Sequence, residues 1–277
     1  MNRVSGIKDF FRDCGRQIIE TLILVFCAIA PLVFNASDMF LPYLAESKLE
    51  PDNVVGYLTV KNGNWTISIV LVLIVLWRIR AHNKEQIMNT TEIYHDYPYW
   101  LYWYCAKILG YGKCDLVLVP INMQFKLVIR GTFSEYPMID DDYPPIEDEE
   151  CTVTITNENN KTTELNIILE DTYSINSIPA NKRALKTIRI TRQGLDNASR
   201  HFCESFVEAT MKGIRSQAER ITVNVFATTN PKNSLHIAKR VFKAASRANV
   251  SHLYVFQQNK NKATDRWYFE ESGHKIY

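Results

Sequence analysis

A chain of 277 residues with a formal net charge of +2 accommodates one or two domains of roughly 100–200 residues each. Its 46% apolar and 22% charged content, with a mean hydropathy slightly below zero, excludes a wholly disordered chain and one that lies mostly in lipid. Cys14, Cys27, Cys105, Cys114, Cys151 and Cys203 form no CxxC pair and no Cys/His set at zinc spacing, so they read as reduced thiols rather than a disulfide scaffold or a structural zinc site.

Met1–Arg16 carries Arg3, Lys8, Arg12 and Arg16 beside Ile7, Phe10 and Phe11, and reads as a short amphipathic lead-in at a membrane surface. Ile18–Phe34 is a first span, with Glu20 near its start and Pro31 near its end. A signal peptide competes with that reading, but the charged lead is long and no small-x-small cleavage site follows at the usual distance. Glu20 sits either at headgroup level or, as carboxylates inside a membrane usually do, facing a bundle interior or water. The polar connection Ala45–Gly63 leads to Trp65–Trp77, thirteen uncharged residues built on an Ile/Leu/Val run. That is short of the roughly 17–25 residues a spanning helix needs. Extension from Gly56 to Ile79 reaches the length, with Tyr57, Trp65 and Trp77 near the ends and Arg78 and Arg80 beyond. Rings at headgroup level with cations outside them suit a spanning helix. A buried core helix is the competing reading. The basic residues before the first span, and Arg78, Arg80 and Lys84 after the second, put both chain ends in the cytoplasm.

Tyr97, Tyr99, Trp100, Tyr102, Trp103, Tyr104 and Tyr111 then crowd the segment Ala81–Gly112. It suits equally a helix lying in the membrane interface and a core helix of the soluble part. Cys114–Val119 and Met123–Phe133 read as strands, the second bent at Gly131. Ser134–Glu150 holds no Lys or Arg but many acidic residues, with Pro137, Pro144 and Pro145, which predicts a mobile linker or loop. Thr152–Thr156 and Glu164–Leu169 flank a turn and form a hairpin candidate. Leu185–Thr191, Ile221–Ala227, His252–Gln257 and finally Trp267–Glu270 read as strands. One helix, capped by Asp196 or Asn197, runs to about Ser216 with Phe202, Phe206, Ala209 and Ile214 on its apolar face. Another, capped by Ser234, runs to about Ala248 on Leu235, Ala238, Val241, Phe242 and Ala245. Strand–helix–strand at this spacing predicts crossover units and a parallel sheet flanked by helices. The expected organisation is a membrane region over 1–80, an interfacial helix, strands and acidic linker over 81–160, and an α/β domain over 161–277.

In such a sheet, ligands bind beyond the carboxyl ends of the strands, near helix N-termini. The candidates there are Asp171, Thr172 and Tyr173 after one strand, Thr228, Thr229, Asn230, Lys232 and Ser234 after another, and Gln257 and Gln258 after a third. Hydroxyls, amides and backbone N–H groups at a helix start suit a phosphate. Lys182, Arg183 or Arg192 adds charge, and Tyr173 offers a face for a base. Ordinary turn and cap residues are the competing reading. No GxSxG, HExxH, Walker loop or GxGxxG occurs, and the expectation is a protein that is not an enzyme, with no metal and no cofactor.

The run ITVNVFATTNP over Ile221–Pro231, SLHIA over Ser234–Ala238, LYVFQQ over Leu253–Gln258 and the later Trp267-Tyr268 resembles the last crossover unit of SAVED domains. These are CARF-like, Rossmann-like sensors of cyclic oligonucleotides in bacterial anti-phage signalling. The resemblance covers roughly Leu165–Glu271. The N-terminal half is similar in layout to two-transmembrane effectors of the same CBASS-like defence systems. The resemblance implies a cyclic or linear oligonucleotide as ligand, a nucleotidyltransferase that makes it, and an inner-membrane effector whose pore disrupts the membrane. Two helices per subunit cannot line a pore alone, so it further implies a homo-oligomer, cyclic or tetrameric. Glu20, Asn35, Ser37, Asp38 and Ser68 become candidate pore-facing groups. The rival reading is a membrane-anchored adaptor or scaffold without channel activity; a membrane-tethered nuclease or hydrolase is a third.

Overall fold

Ile7–Val33 form one continuous helix, α1, so the described part of the amphipathic lead-in, from Ile7 on, and the first span are a single element. Pro31 lies in its last turn, and just beyond it Asn35 takes φ 46, a left-handed conformation that Asn tolerates better than most residues. Helix α2, Gly63–Asn83, runs through Arg78 and Arg80 instead of stopping at them. The structure, a computed structural model, describes residues 7–38, 62–138, 142–145, 150–160, 162–194, 200–217, 220–243, 249–260 and 266–277. The extension back to Gly56, and nearly all of the connecting loop, lie outside those residues, as do much of the acidic stretch and the caps expected at Asp196 or Asn197.

The chain divides into two units. In the first, formed by residues up to Ile93 and by Trp100–Lys113, α1 and α2 pack together. Each is long and apolar enough to cross a membrane. Their remaining surfaces expose Ile19, Leu22, Phe26 and Val33 on α1 and Trp65, Ile69, Leu73 and Trp77 on α2. A core helix would bury such side chains, so apolar exposure on this scale fits lipid contact. Helix α3, Tyr99–Tyr104, continues as a π-helical turn over Cys105–Leu109. It ends at Gly110, whose φ of 83 and return of its N–H to the Cys105 carbonyl require glycine. A Cβ there would come within 2.9 Å of Arg80.

The second unit is Tyr94–Tyr99 with Cys114–Tyr277. Its first long element is a helix, α4, over Ile121–Arg130, where a strand was expected. Gln124, Phe125, Leu127 and Val128 are buried at helical spacing. Gly131, at φ 58, returns its N–H to the Leu127 and Val128 carbonyls, so it terminates a helix rather than bending a strand. Cys114–Val119 is also not a strand beyond Cys114. The Asp115 carboxylate accepts the Val117 N–H at 2.8 Å and makes a tight local turn.

The sheet contains β1 (Cys151–Thr156), β2 (Glu164–Glu170), β3 (Lys186–Arg192), β4 (Ile221–Ala227) and β5 (Val250–Phe256). Gln258–Lys260 (β6) and Trp267–Phe269 (β7) form a separate antiparallel ribbon, and His274–Lys275 (β8) returns to the sheet edge. The sheet order is β8-β5-β4-β2-β3-β1. Its four central strands are parallel and its two edges antiparallel. The expected β1–β2 hairpin does not form: β1 pairs with β3. The reason is burial. β2 is buried almost throughout and needs cover on both faces, whereas the Thr-rich β1 is exposed and tolerates an edge.

Crossovers follow from helix α5 (Glu204–Arg215), between β3 and β4, and α6 (Pro231–His236), which continues as a π-helical turn over Ile237–Phe242 before β5. The buried face of α5 is Phe206, Val207, Thr210 and Ile214; Ala209 is not on it, and Phe202 precedes the helix, whose N-cap is Cys203 rather than Asp196 or Asn197. Asn230, not Ser234, caps α6, accepting the Asn233 N–H with Pro231 in the first turn. Ser234 lies inside the helix and is buried. On one sheet face, Ile168, Phe226 and Phe256 pack with Ile175, Ile178 and Phe269; the Phe226 and Phe256 rings stack at 4.4 Å.

Gly131→Ala forces a left-handed conformation on a residue with a Cβ. It is expected to cost about 1 kcal/mol, read as a lower urea midpoint for the full chain in detergent, with an unchanged slope.

Candidate functional site

The chain leaves β2 toward β3 and leaves β4 toward β5, in opposite directions across the sheet. The carboxyl ends of β2 and β4 therefore flank the switch point at which open α/β sheets usually take ligands. Here the protein fills that crevice with its own polar groups. The Thr228 N–H donates to the Leu169 carbonyl at 3.0 Å and the Thr172 N–H to the Thr228 carbonyl at 3.2 Å, closing the two strand ends. Asp171, fully buried, accepts the Asn230 N–H at 2.8 Å and the Asn233 amide at 2.9 Å. Its carboxylate pairs with the buried Arg192 guanidinium at 2.9 Å, and Arg192 Nε also donates to the Asp171 carbonyl at 3.0 Å. The anion at the start of α6 is thus an internal carboxylate.

The other candidates sort by depth. Thr228 donates to the Tyr173 carbonyl at 2.7 Å, and the Thr229 and Ser234 hydroxyls pair at 2.6 Å, both buried. Asn230 caps α6 and donates to the His201 carbonyl at 2.8 Å. Lys232 is turned inward, with Nζ donating to the Tyr143 carbonyl at 3.2 Å and lying 5.4 Å from the Phe202 ring centre. Solvent reaches Thr172, Gln257, Gln258 and, most of all, Tyr173, which is 43% exposed. The Tyr173 hydroxyl donates to Gln258 Oε1 at 2.8 Å, and partial burial of the side chain raises its pKa. The structure adds a neighbour that the sequence did not place among the site candidates. Trp267, exposed, sits 6.4 Å from the Tyr173 ring, with Lys260 Nζ 5.9 Å above its face. Burial along β7 does not alternate, with Trp267 and Tyr268 exposed and Phe269 buried, so no period-2 signal marked Trp267.

Glu170, the last residue of β2, also lies below the rim. Buried, it accepts the Ile175 N–H at 2.6 Å and the Thr191 hydroxyl at 2.6 Å, and pairs with Arg189. Of the cations expected to add charge, Arg192 is consumed by Asp171, while Lys182 pairs with Glu164 at 3.2 Å. Among the described residues, no cluster of His, Cys, Asp or Glu is placed to hold a metal ion.

The membrane unit has a second polar centre. Glu20 is buried, accepts Arg16 Nε at 3.0 Å on one oxygen and the Asn83 amide at 2.8 Å on the other. Arg16 also donates to Asn83 Oδ1 at 2.6 Å and Gln86 Oε1 at 2.9 Å. Asn83 donates again to the Leu109 carbonyl at 3.1 Å, and Arg80 donates to the Lys107 and Ile108 carbonyls. The cluster ties α1, the end of α2 and the π-helical end of α3. Asn83, the residue on which it converges, was not anticipated; an Asn closing a long apolar run was its signal. The remaining pore-facing candidates are scattered. Ser37 N–H donates to Asn64 Oδ1 at 2.8 Å, the Asn64 amide reaches Asn35 Oδ1 at 3.3 Å, and Asp38 is exposed. Ser68 is buried, its hydroxyl without a hydrogen-bond partner among the described residues.

A family model described as the SMODS- and ubiquitin system-associated 2TM effector domain matches residues 2–276. No curated protein matches the chain.

Two substitutions test this division of the site. Asp171→Asn leaves Arg192 buried without its counter-charge and is expected to cost about 3–5 kcal/mol, whereas exposed Tyr173→Ala stays within about 1 kcal/mol, both by urea denaturation of the full chain. His236, its ring 4.5 Å from that of Phe202 and tilted 45° to it, is held below its ordinary value of 6.5 by burial and then by Arg240. The folded state therefore binds fewer protons than the unfolded chain as pH falls below that value. The stabilisation is complete above about pH 6.5 and declines below it. His236→Phe is expected to flatten the fall in Tm between about pH 7 and pH 5.

Proposed function

The chain belongs to the family of SMODS- and ubiquitin-system-associated two-transmembrane effector domains, and on that premise we propose that it is an anti-phage membrane effector. In this reading a cytosolic, CARF-like sheet domain binds a nucleotide signal and controls a homo-oligomeric pore in the inner membrane. The observation that carries it is a pair of helices with apolar outer surfaces in a chain matched almost end to end by an effector family. The association with SMODS supports a signal made by a nucleotidyltransferase, hence a cyclic or linear oligonucleotide as ligand. Arg12 and Arg16 on α1 and Arg78, Arg80 and Lys84 at the end of α2 support cytoplasmic chain ends.

The accessible rim is the surface we assign to the ligand. Thr172, Gln257 and Gln258 offer hydrogen bonds, Tyr173 and Trp267 offer faces for bases, and Lys260 offers charge for a phosphate. The buried residues Asp171, Thr228, Thr229, Asn230, Lys232 and Ser234 hold that rim in place from beneath. Two helices cannot enclose a pore, so the apolar surfaces of α1 and α2 also serve contact between copies. Asn35, Ser37, Asp38 and Ser68 remain candidates for the pore. Glu20 acts instead as a lock between helices, through Arg16 and Asn83.

The test begins with a thermal-shift panel of cyclic and linear oligonucleotides on the purified full-length protein, followed by ion flux from liposomes with the member that binds. We expect one member to raise Tm and to change flux, and Tyr173→Ala with Trp267→Ala to weaken its binding at least tenfold while leaving the unliganded Tm within a few degrees. Asn83→Leu is expected to keep binding and to alter the flux response. Binding without any effect on flux supports the adaptor reading instead, and no binding by any member removes the sensor.

A further inference from the structure

We propose that α3 and its π-helical continuation are a third membrane-contacting element, lying in the headgroup layer with Trp100 and Trp103 turned into lipid. The proposal rests on α1 and α2 spanning the bilayer and on no property of a ligand. Three observations carry it. First, the segment is two-sided. Tyr102, Cys105 and Leu109 are buried at 0% exposure, while Trp100 and Trp103, at i and i+3, stand 65% and 46% exposed. Indole rings are the side chains best suited to the interface, where an apolar body meets lipid and an N–H meets headgroups.

Second, its depth is set by the end of the second span. Arg80 donates to the carbonyls of Lys107 and Ile108, Asn83 donates to that of Leu109, and the Tyr104 hydroxyl lies 3.0 Å from the Thr21 hydroxyl on α1. Gly110 keeps this approach open, because any Cβ would strike Arg80. The segment is therefore held where an α2 of 21 residues leaves the hydrocarbon. Third, the charge at this level suits an anionic lipid surface. Arg78 lies over the Trp77 ring at 5.2 Å, Lys107 is exposed, and the nearby carboxylate of Glu85 is neutralised by Lys113 at 2.7 Å. Exposed indoles on a segment tied to the end of a span, at a level that carries Arg78 and Lys107, make lipid the favoured occupant over a second copy of the chain.

The full-length protein and a Trp100→Phe/Trp103→Phe variant are reconstituted in vesicles of phosphatidylcholine and phosphatidylglycerol, and the variant's emission is subtracted from that of the parent. The difference spectrum, which belongs to the two indoles, is expected to be blue-shifted. It is expected to be quenched at least twofold more by lipid brominated high on the acyl chain than by aqueous acrylamide. Acrylamide quenching equal to that of Trp267 overturns the proposal, since it places the indoles in water. Resistance to both quenchers also overturns it, since it places them against protein. Resistance of the protein itself to alkaline extraction from membranes is measured alongside, so that failure of the spans is told apart from failure of the interfacial helix.

Discussion

The carboxylate of Asp171 has no access to solvent, and the strand ends around it are arranged to make that burial tolerable. An isolated carboxylate in an apolar interior is driven to take up a proton. Here one guanidinium, one backbone N–H at a helix start and one side-chain amide converge on it. The helix start contributes because its N–H groups lack intrahelical partners and attract negative charge. Through these contacts one side chain joins β2, β3 and the β4–α6 turn. Parallel strands need such joints: their neighbours come from distant parts of the sequence, and nothing local enforces the register. Asn230 and Asn233 extend the arrangement to the segment before α5, through the His201 carbonyl.

The helix-pair unit meets the same problem at one end of its two long helices. Glu20, Arg16 and Asn83 would each be expensive in hydrocarbon. Clustered at one end of the helix pair, with the donors of Arg16 and Asn83 spread over Glu20, Gln86 and a backbone carbonyl, they are satisfied. Away from that cluster, α2 buries Ser68 and leaves much of its apolar surface exposed, and apolar helices in lipid gain little from one apolar partner over another. The polar cluster therefore supplies the specificity that sets how α1, α2 and the aromatic segment meet. A cluster of this kind is also the place where a change of arrangement is discrete. Its hydrogen bonds are either made or broken, while the apolar contacts beside it change gradually.

The sequence was most legible where one pattern dominated. The apolar runs in α1 and α2, and Ile221–Ala227 as a strand with its exact limits replaced by no competing element, needed only hydropathy and period. Met123–Phe133 misled because its apolar residues suit either period over so short a stretch, and the decision lay with Gly131, read as a bend when it is a helix terminus. The β1–β2 hairpin misled because adjacency in sequence is a good guide to antiparallel pairing but says nothing of burial. The near-continuous apolar character of Glu164–Leu169 was the better clue. At the candidate site, the residue types after the strands were legible, and their depth was not. Thr229, Asn230 and Ser234 look alike whether they face a ligand or one another, and only the packed structure shows that the hydroxyls of Thr229 and Ser234 bond each other.

That difference in depth bears on how any ligand could engage the sheet. A phosphate entering the start of α6 would have to displace Asp171, leaving a buried arginine and a buried carboxylate to find new partners. Breaking a buried pair costs about 3–5 kcal/mol, a loss of roughly 10²–10⁴ in affinity. A ligand resting on Tyr173, Gln258 and Trp267 leaves the Asp171–Arg192 pair intact and so incurs no such cost. The free energy thus favours recognition by stacking and rim hydrogen bonds over insertion at the helix start. For the ligand site proposed at the rim, a closed strand-end crevice would be an advantage: a rigid floor keeps the rim residues in one arrangement and lowers the ordering cost of binding.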